Sequence, residues 1–289
     1  MAQLEKNIID KKSDWDEVIT SKTGLFDLKL KEVWKYRDLV GLLVKRDFVT
    51  SFKQTVLGPI WFFISPMLTS AIYMIIFTVI ARISTDGIPP ILFYLSGITL
   101  WNYFSSALSL TSNVFTSNAN VFGKVYFPRL VMPLSIIVSR LMQFGVQLLL
   151  FICFWFYYWS KGAVEPNIWL LAVPYFVILC SVIAMGLGLI FSSLTTKYKD
   201  VAMLLSFCIQ LWMYGTPVIY PSSIMPESVR VYLQYNPMIG IFEGFKYAFL
   251  GKGNFEPSML IYPTIFAAVI LALGVLIFNK VEKSFMDTV

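Results

Sequence analysis

The chain has 289 residues, of which 57% are hydrophobic and only 14% are charged, and its mean hydropathy is +0.70. Soluble domains are typically about 45–50% apolar and about 25% charged. The composition therefore excludes an ordinary soluble enzyme, a disordered chain and a disulfide-rich secreted scaffold, and it indicates a membrane protein with several spans. We attribute the net charge of +6 to basic cytoplasmic loops rather than to nucleic-acid binding.

Several kinds of chemistry are missing from the sequence. It has no histidine and only three cysteines, none in a C-x-x-C pair, which excludes imidazole metal sites and Ser-His-Asp or Cys-His catalysis. No G-x-x-x-x-G-K-[ST] phosphate-binding loop occurs, so the chain has no recognisable ATP site of its own. We predict that it contains no catalytic residue, no metal and no cofactor.

The N-terminal part of the chain is too polar to cross a membrane. Residues 1–29 are mixed in charge, lack the apolar run of a signal peptide and are predicted to form a cytoplasmic segment. In residues 30–56, apolar positions recur at helical spacing between charged ones, which predicts an amphipathic helix in the membrane interface. A soluble helix packed on another domain is the alternative interpretation.

Six apolar runs approach the length of about 20 residues that a helical span requires. We predict spans at about 57–81, 90–111, 132–159, 168–191, 201–220 and 259–279. These form a transmembrane unit over 57–280, followed by a cytoplasmic tail at 281–289. Gly186 and Gly188 permit close helix packing without forming a G-x-x-x-G motif. The predicted fold class is an all-α integral membrane protein with six transmembrane helices.

The distribution of basic residues predicts the orientation of these spans. If both termini are cytoplasmic, the inner segments hold 17 of the 23 Lys and Arg residues, the outer loops hold 5, and Arg140 lies within a span. Cytoplasmic loops are enriched in Lys and Arg. We therefore predict a multi-pass protein with both ends in the cytoplasm.

The predicted outer segment 221–258 contains two short apolar runs, at about 228–235 and 238–250, on either side of Asn236 and Pro237. Neither run is long enough to cross a bilayer. An Asn-Pro pair is typical of a turn. The segment is therefore predicted to be a re-entrant helical hairpin before the last span, and its candidate functional residues are Asn236, Pro237 and Glu243.

Four motifs in order carry a resemblance to a known family. They are W-K-Y-R-D-L-V-G-L-L-V-K-R-D-F at 34–48, K-Q-T-V-L-G-P-I-W at 53–61, G-T-P-V-I-Y-P at 215–221 and Y-N-P-M at 235–238. Together they resemble the permease subunits of ABC type-2 polysaccharide exporters, the family that exports O-antigen, capsular polysaccharide and teichoic acid. The resemblance covers about residues 30–289.

This resemblance implies partners and a location. Such permeases form homodimers in the bacterial cytoplasmic (inner) membrane and bind two ATP-binding cassette subunits, which hold the ATP and Mg²⁺. The implied substrate is a polysaccharide linked to undecaprenyl diphosphate. The resemblance also implies that the inner loop at about 112–131 couples the permease to the ATPase, with candidate contacts at Asn120, Phe122, Lys124 and Tyr126.

Five basic residues are candidates for binding the lipid diphosphate at the inner headgroup level: Lys45, Arg46, Lys53, Arg129 and Arg140. Attraction to ordinary anionic lipids is the alternative for each of them. Arg46 is the first choice, because the resemblance of its motif to the family implies a position between the interfacial helix and the conduit. Arg140 either contacts the substrate in the cavity or extends back to the inner headgroups, and the sequence does not decide between these.

Two alternative functions remain open. Within transport, the chain is alternatively the permease of an exporter of teichoic acid or of another lipid or drug. Outside transport, it is a membrane polymerase or ligase acting on glycans. Such an enzyme would need clustered acidic or basic side chains on its outer loops, whereas the acids of the predicted outer loops are dispersed.

Overall fold

The computed structural model describes residues 30–53, 55–122, 127–226, 228 and 234–285, so the predicted N-terminal segment lies outside the described residues. Within these ranges the chain is helical and contains no strand, which confirms the all-α fold class. The helices of the first half are α1 Leu30–Lys35, α2 Arg37–Thr50, α3 Trp61–Tyr73, α4 Pro90–Ser112, α5 Val114–Ser117 and α6 Ala119–Phe122.

Five longer helices form the second half of the described chain. They are α7 Val131–Ser160, α8 Val173–Lys197, α9 Asp200–Tyr214, α10 Pro237–Leu250 and α11 Ile261–Phe285. Short helical turns extend some helices at their ends. A π-helix, Met74–Ile80, continues α3, and 3₁₀ turns precede α3, α8 and α11 at Gly58–Ile60, Ile168–Ala172 and Pro257–Leu260.

Four helical segments among the described residues are long and apolar enough to cross a membrane. They are Gly58–Ile80, Val131–Ser160, Ile168–Lys197 and Pro257–Val281. These segments correspond to the first, third, fourth and sixth predicted spans.

The second and fifth predicted spans are helices of a different character. Helix α4 has 23 residues, but serine and threonine interrupt its apolar sequence and most of its side chains are buried by protein. Helix α9 has 15 residues, so it is about 22 Å long at 1.5 Å per residue. The predicted run 201–220 is helical only to Tyr214, because the chain turns at Gly215 and Pro217 cannot continue a helix.

The main hydrophobic core lies between α4, α7, α8 and α10. Its largest fully buried side chains are aromatic and include Phe104, Phe176, Phe242 and Phe245. Helix α10 has no face open to lipid over most of its length, since 12 of its 14 residues are buried. The short apolar run at 238–250 is therefore a helix enclosed by the bundle.

Glycines allow the backbones of α8, α11 and α4 to approach closely. A Cβ atom added at Gly186 would lie 2.8 Å from the Ile270 carbonyl oxygen, and one at Gly188 would lie 2.6 Å from Thr111 Cβ. One added at Gly274 would lie 2.5 Å from the Gly186 carbonyl oxygen. The prediction that Gly186 and Gly188 permit close packing is confirmed.

The connections between helices collect at two opposite ends of the bundle. We call the first the loop end; it consists of residues 81–89, 161–167, 215–226 and 251–256. Hydrogen bonds join these loops: Lys252 Nζ donates to the Gly87 carbonyl oxygen at 2.9 Å, and Ser223 Oγ donates to Asp86 at 2.8 Å. We call the other the terminal end; it consists of residues 113–122, 127–130 and 198–199. Beside it, Thr195 Oγ1 donates to the Ser112 carbonyl oxygen.

Helix α2 packs on the terminal-end part of α7 and buries Leu43 and Val44. A second hydrophobic cluster lies beside it, where the ring of Phe115 stacks on Phe278 with centroids 4.7 Å apart. The opposite face of α2 is charged and exposed. The helix predicted over 30–56 is observed as two helices that end at Thr50, and its position in the membrane interface stays a prediction.

Candidate functional site

A polar stripe runs along one face of α4. Asn102, Ser105, Ser106 and Ser109 follow one another at i, i+3, i+4 and i+7, the spacing of a single helix face. Two of the hydroxyls, on Ser105 and Ser106, donate to carbonyls one turn earlier in their own helix. These oxygens still have lone pairs that can accept hydrogen bonds from a ligand.

Helix α7 presents a second polar stripe towards the first. Arg140, Gln143 and Gln147 stand at i, i+3 and i+7, so they also share a face. Arg140 Nη1 donates to Gln143 Oε1 at 2.7 Å. The buried Nε of Arg140 has no hydrogen-bond acceptor among the described residues. The guanidinium therefore keeps an unsatisfied donor, while the residue itself lines the space between the two stripes.

The two stripes, the start of α3 and the middle of α9 line an open cavity of about 590 Å³, which we call the serine cavity. Its remaining lining residues are Ser51, Trp61, Phe62, Ser65, Tyr103, Phe144, Ser206 and Ile209. Hydroxyl and amide groups alternate with aromatic rings around this space. Such a lining offers hydrogen bonds to polar edges and flat apolar surfaces to ring faces.

A smaller cavity of about 240 Å³ adjoins the first towards the terminal end. We call it the arginine cavity, because Arg46 of α2 and Arg140 of α7 both line it. Ser51 and Arg140 line both cavities, so the two spaces are contiguous. The structure therefore brings together two of the five predicted phosphate-binding residues, including the first choice.

Asp47 is the carboxylate nearest to the Arg46 guanidinium. Arg46 Nη2 and Nε lie 2.7 and 2.8 Å from the same carboxylate oxygen, Oδ1. Arg46 is exposed, so this pair is a surface ion pair of little net stability. Its Nη1 has no described partner and is available to a third group.

The other three predicted basic residues lie away from both cavities. Lys45 and Lys53 are exposed. Arg129 is buried, with its guanidinium 5.7 Å from the centre of the Phe122 ring. Neither cavity is lined by any of the three.

The predicted ATPase-coupling residues are only partly described. Phe122 ends α6 and is buried, with its ring stacked on Phe127 at 5.7 Å, so it faces the interior of the chain. Asn120 lies within α6, but its side chain is outside the described residues, as are Lys124 and Tyr126.

Asn236 begins α10 and also ties it to the end of α9. Its side-chain oxygen accepts from the Met238 amide at 3.0 Å and from Trp212 Nε1 at 2.9 Å. Its amide nitrogen donates to the Gly215 carbonyl oxygen at 2.8 Å. Asn236 is therefore the N-cap and Pro237 the first residue of a helix. Of the preceding run, 228–235, residues 229–233 lie outside the described residues.

Two charged side chains are buried in α10, and sequence reasoning singled out only one of them. Glu243 is 5% exposed and Lys246 is 3% exposed. Lys246 Nζ donates to the carbonyl oxygens of Pro217 and Val218 at 2.5 and 3.3 Å, and it lies 3.7 Å from the centre of the Phe93 ring.

The serine cavity was also missed at the sequence level. Its signal was present as four polar residues on one face of α4 and three on one face of α7. A serine does not interrupt an apolar run in a hydropathy profile. The stripe is therefore visible only when the helical period is applied to the polar positions.

Comparison with known proteins places the chain in a family. The family model described as ABC-2 type transporter matches residues 38–250. The chain is 29% identical over 251 residues to the O-antigen export system permease protein RfbA of Klebsiella pneumoniae, covering 86% of this chain and 94% of that protein.

Two further relatives cover similar shares. A permease of the same description from Myxococcus xanthus is 26% identical over 262 residues, covering 90% of this chain and 98% of the relative. The polysialic acid transport protein KpsM of Escherichia coli is 23% identical over 250 residues, covering 86% and 95%. These matches confirm the resemblance carried by the four sequence motifs. Because the matched range spans most of the chain, this protein belongs to the ABC-2 type transporter family.

Proposed function

We propose that this chain is the membrane-spanning permease of an ABC exporter that moves a polysaccharide linked to undecaprenyl diphosphate, such as O-antigen, across the cytoplasmic membrane. A separate ATPase subunit drives the movement. The observation that carries the proposal is the contiguous pair of cavities, one with two arginines and the other with hydroxyl, amide and aromatic groups. The named relatives act in the export or transport of polysaccharides, which supports the same substrate class.

The arginine cavity is suited to the lipid diphosphate. Arg46 and Arg140 approach it from two different helices, and guanidinium groups bind phosphate oxygens through paired hydrogen bonds. Asp47 holds the Arg46 head in place without occupying all of its donors. The proposal assigns Arg46 and Arg140 to the diphosphate, while Lys45, Lys53 and Arg129 are left to anionic lipid or to packing.

The serine cavity is suited to the sugars that follow the diphosphate. A sugar ring has hydroxyls at its edge and C–H groups on its faces. Serine and amide side chains can exchange hydrogen bonds with the sugar hydroxyls. Trp61, Tyr103 and Phe144 offer flat apolar surfaces to the C–H faces of the ring. Tyr103 is held by a hydrogen bond of 2.6 Å to Ser181, which fixes its ring at the cavity wall.

We further propose six crossings with both termini in the cytoplasm. The grouping of helix connections at the loop end and the terminal end supports a chain that alternates between two sides. In this arrangement α4 crosses within protein, and α9 crosses together with the turn at 215–220. The segment at 221–258 enters and leaves on the outer side, with α10 as its buried helix. The 17-to-5 distribution of Lys and Arg supports a cytoplasmic position for the terminal end.

The complete exporter is proposed to contain two copies of this chain and two ATPase subunits. The absence of a phosphate-binding loop from the sequence supports an external source of ATP hydrolysis. The loop at 112–131 lies at the proposed cytoplasmic end, and Asn120, Lys124 and Tyr126 are its candidate contacts to the ATPase. Phe122 is assigned to holding the loop, because its ring is buried against Phe127.

The test replaces Arg140 and measures surface polysaccharide together with the amount of chain in the membrane. Arg140→Ala should lower export while abundance and ATPase assembly stay normal, and Arg140→Lys should restore it only partly, because an ammonium lacks bidentate geometry. Arg37→Ala, which removes an exposed arginine outside both cavities, is the matched control and should export normally. Normal export by Arg140→Leu at normal abundance would refute the assignment of Arg140.

A further inference from the structure

A third cavity lies at the loop end, between α10 and the start of α11. Its volume is about 440 Å³, and we call it the α10 cavity. Its lining includes Gln234, Ile239, Glu243, Asn254, Glu256 and Met259. It shares no lining residue with the serine or arginine cavity, so it is a separate space at the opposite end of the bundle from the arginines.

Glu243 is the unusual group in this lining. It is 5% exposed and lines the cavity, and its carboxylate makes no hydrogen bond or ion pair within 4 Å among the described residues. Its oxygens are not sealed from solvent, so they face the open space of the cavity. Lys246, one turn away on the same helix, offsets part of its charge, but its ammonium donates to the Pro217 and Val218 carbonyls. The carboxylate therefore keeps acceptor capacity that a ligand in the cavity can use.

The backbone beside Glu243 is shaped to keep this carboxylate accessible. Gly253 has φ +129°, a conformation that favours glycine, and a Cβ atom there would lie 3.4 Å from Glu243 Oε2. A side chain at this position would cover the carboxylate from the cavity rim. Asn236 is not free to act as a ligand, because its amide already bonds Trp212, Gly215 and Met238.

The rest of the lining indicates the class of ligand. Gln234 and Asn254 are exposed amides that donate and accept, and Ile239 and Met259 form an apolar wall. A carboxylate, two amides and an apolar wall match a sugar ring, which has neighbouring hydroxyls and an apolar face. A metal ion is less well served, since the described residues contain no group of three or more Asp, Glu, Cys or His side chains.

We propose that the α10 cavity binds a sugar unit of the polysaccharide on the outer side of the membrane, with Glu243 accepting hydrogen bonds from two of its hydroxyls. This inference rests on the proposed export function and adds to it a second sugar site, distinct from the conduit. Its position at the loop end makes it a site for glycan that has already crossed.

The test measures protection of a reporter cysteine in the cavity. Ser258, an exposed lining residue, is changed to cysteine in a chain whose Cys153, Cys180 and Cys208 have been replaced. The exporter, purified with its ATPase in nanodiscs, is labelled with a membrane-impermeant maleimide. The added probe is the host's own polysaccharide, released from its lipid by mild acid, and dextran of the same size is the control polymer.

The proposal predicts that the host polysaccharide slows labelling and that dextran does not. In E243Q, the polysaccharide concentration that gives half-protection should rise by about tenfold or more. This is the loss of affinity expected when one hydrogen bond to a charged group is weakened. Glu165→Gln, at an exposed acid of the same end outside the cavity, should behave as wild type. If E243Q does not accumulate, Asn254→Ala, an exposed rim substitution, replaces it with the same expected direction.

Three results would overturn the proposal. They are no protection of the reporter in the parent protein, equal protection by dextran, and unchanged protection in E243Q or Asn254→Ala. Protection by Ca²⁺ or Mg²⁺ alone would assign the cavity to a cation instead of a sugar. Failure here is distinguishable from failure of the proposed function, because the Arg140 variants test export independently of this cavity.

Discussion

The close contact between α8 and α11 makes a quantitative prediction about Gly274. The Cβ of Gly274→Ala would lie 2.5 Å from the Gly186 carbonyl oxygen, whereas ordinary contact begins at 3.4 Å. Both contacting groups are backbone, so no side chain can rotate away and the two helices must separate by about 0.9 Å at this point. Overpacking of this kind costs about 1–3 kcal/mol.

Helix propensity acts in the opposite direction and sets the net size of the effect. Alanine is favoured over glycine inside a helix by about 0.5–1 kcal/mol. Gly274→Ala should therefore destabilise the folded chain by up to about 2.5 kcal/mol, the packing cost less the propensity gain.

Gly145→Ala on α7 is the matched control, because nothing lies within 4 Å of its added Cβ. That variant should be neutral or stabilised by up to about 1 kcal/mol, since only helix propensity changes. The assay is thermal unfolding of the purified proteins in one detergent, followed by intrinsic tryptophan fluorescence. If Gly274→Ala melts at or above the temperature of Gly145→Ala, the close approach of α8 and α11 is wrong.

Three further substitutions test contacts that hold α10 and the helix ends. Asn236→Ala removes the N-cap of α10 and its tie to Gly215, and it should lower the melting temperature by an amount corresponding to about 1–3 kcal/mol. Lys246→Met keeps the length of the side chain but leaves two buried carbonyl oxygens without a donor, so it should reduce the yield of folded protein. Lys252→Met is the control and should reduce the yield less, because the Lys252 ammonium bonds a single exposed carbonyl. Thr195→Val keeps the shape of the side chain but loses the hydrogen bond from its hydroxyl to the Ser112 carbonyl oxygen. The free energy of unfolding should fall by about 1 kcal/mol, measured by the same thermal unfolding assay. An unchanged melting temperature for Asn236→Ala or Thr195→Val, or equal yields of the two lysine variants, would count against the corresponding contact.

Apolar length was sufficient to predict the four segments that are long and apolar enough to cross a membrane, because a helix facing lipid has no alternative to a long apolar run. The end of α9 was predicted less well. The apolar run continues to Tyr220, but Gly215 and Pro217 end the helix five residues or more before it. A hydropathy average does not detect such a turn. The backbone preferences of glycine and proline do indicate it.

The serine cavity and the Lys246 contact could not be predicted from hydropathy. Serine contributes little to a hydropathy average, so the polar face of α4 appears only when the helical period is applied to the polar positions. The cavity itself appears only when the facing stripe of α7 is known. Lys246 resembles an ordinary loop lysine until Pro217, Val218 and Phe93, which are distant in sequence, are seen to surround it. Both features depend on contacts between elements, and the sequence of one element does not encode its neighbours.

Arg140 was identified from sequence for a sound physical reason, namely that a charge in an apolar span requires a partner. The structure supplies Gln143 as one partner and a cavity shared with Arg46 as its surroundings. The pairing with Arg46 was not deducible, because the two residues lie on helices that are separated by almost one hundred positions in sequence.

The central claim, export of a lipid-linked polysaccharide, is tested most directly by deleting the chain and following the glycan. Surface polysaccharide is measured on whole cells, and undecaprenyl-diphosphate-linked glycan is extracted and sized from the same culture. We expect surface polysaccharide to be lost while full-length lipid-linked glycan accumulates inside the cells. The wild-type chain should restore export, and Arg140→Ala should not. Unchanged surface polysaccharide, or accumulation of single repeat units as expected for a missing polymerase, would contradict it.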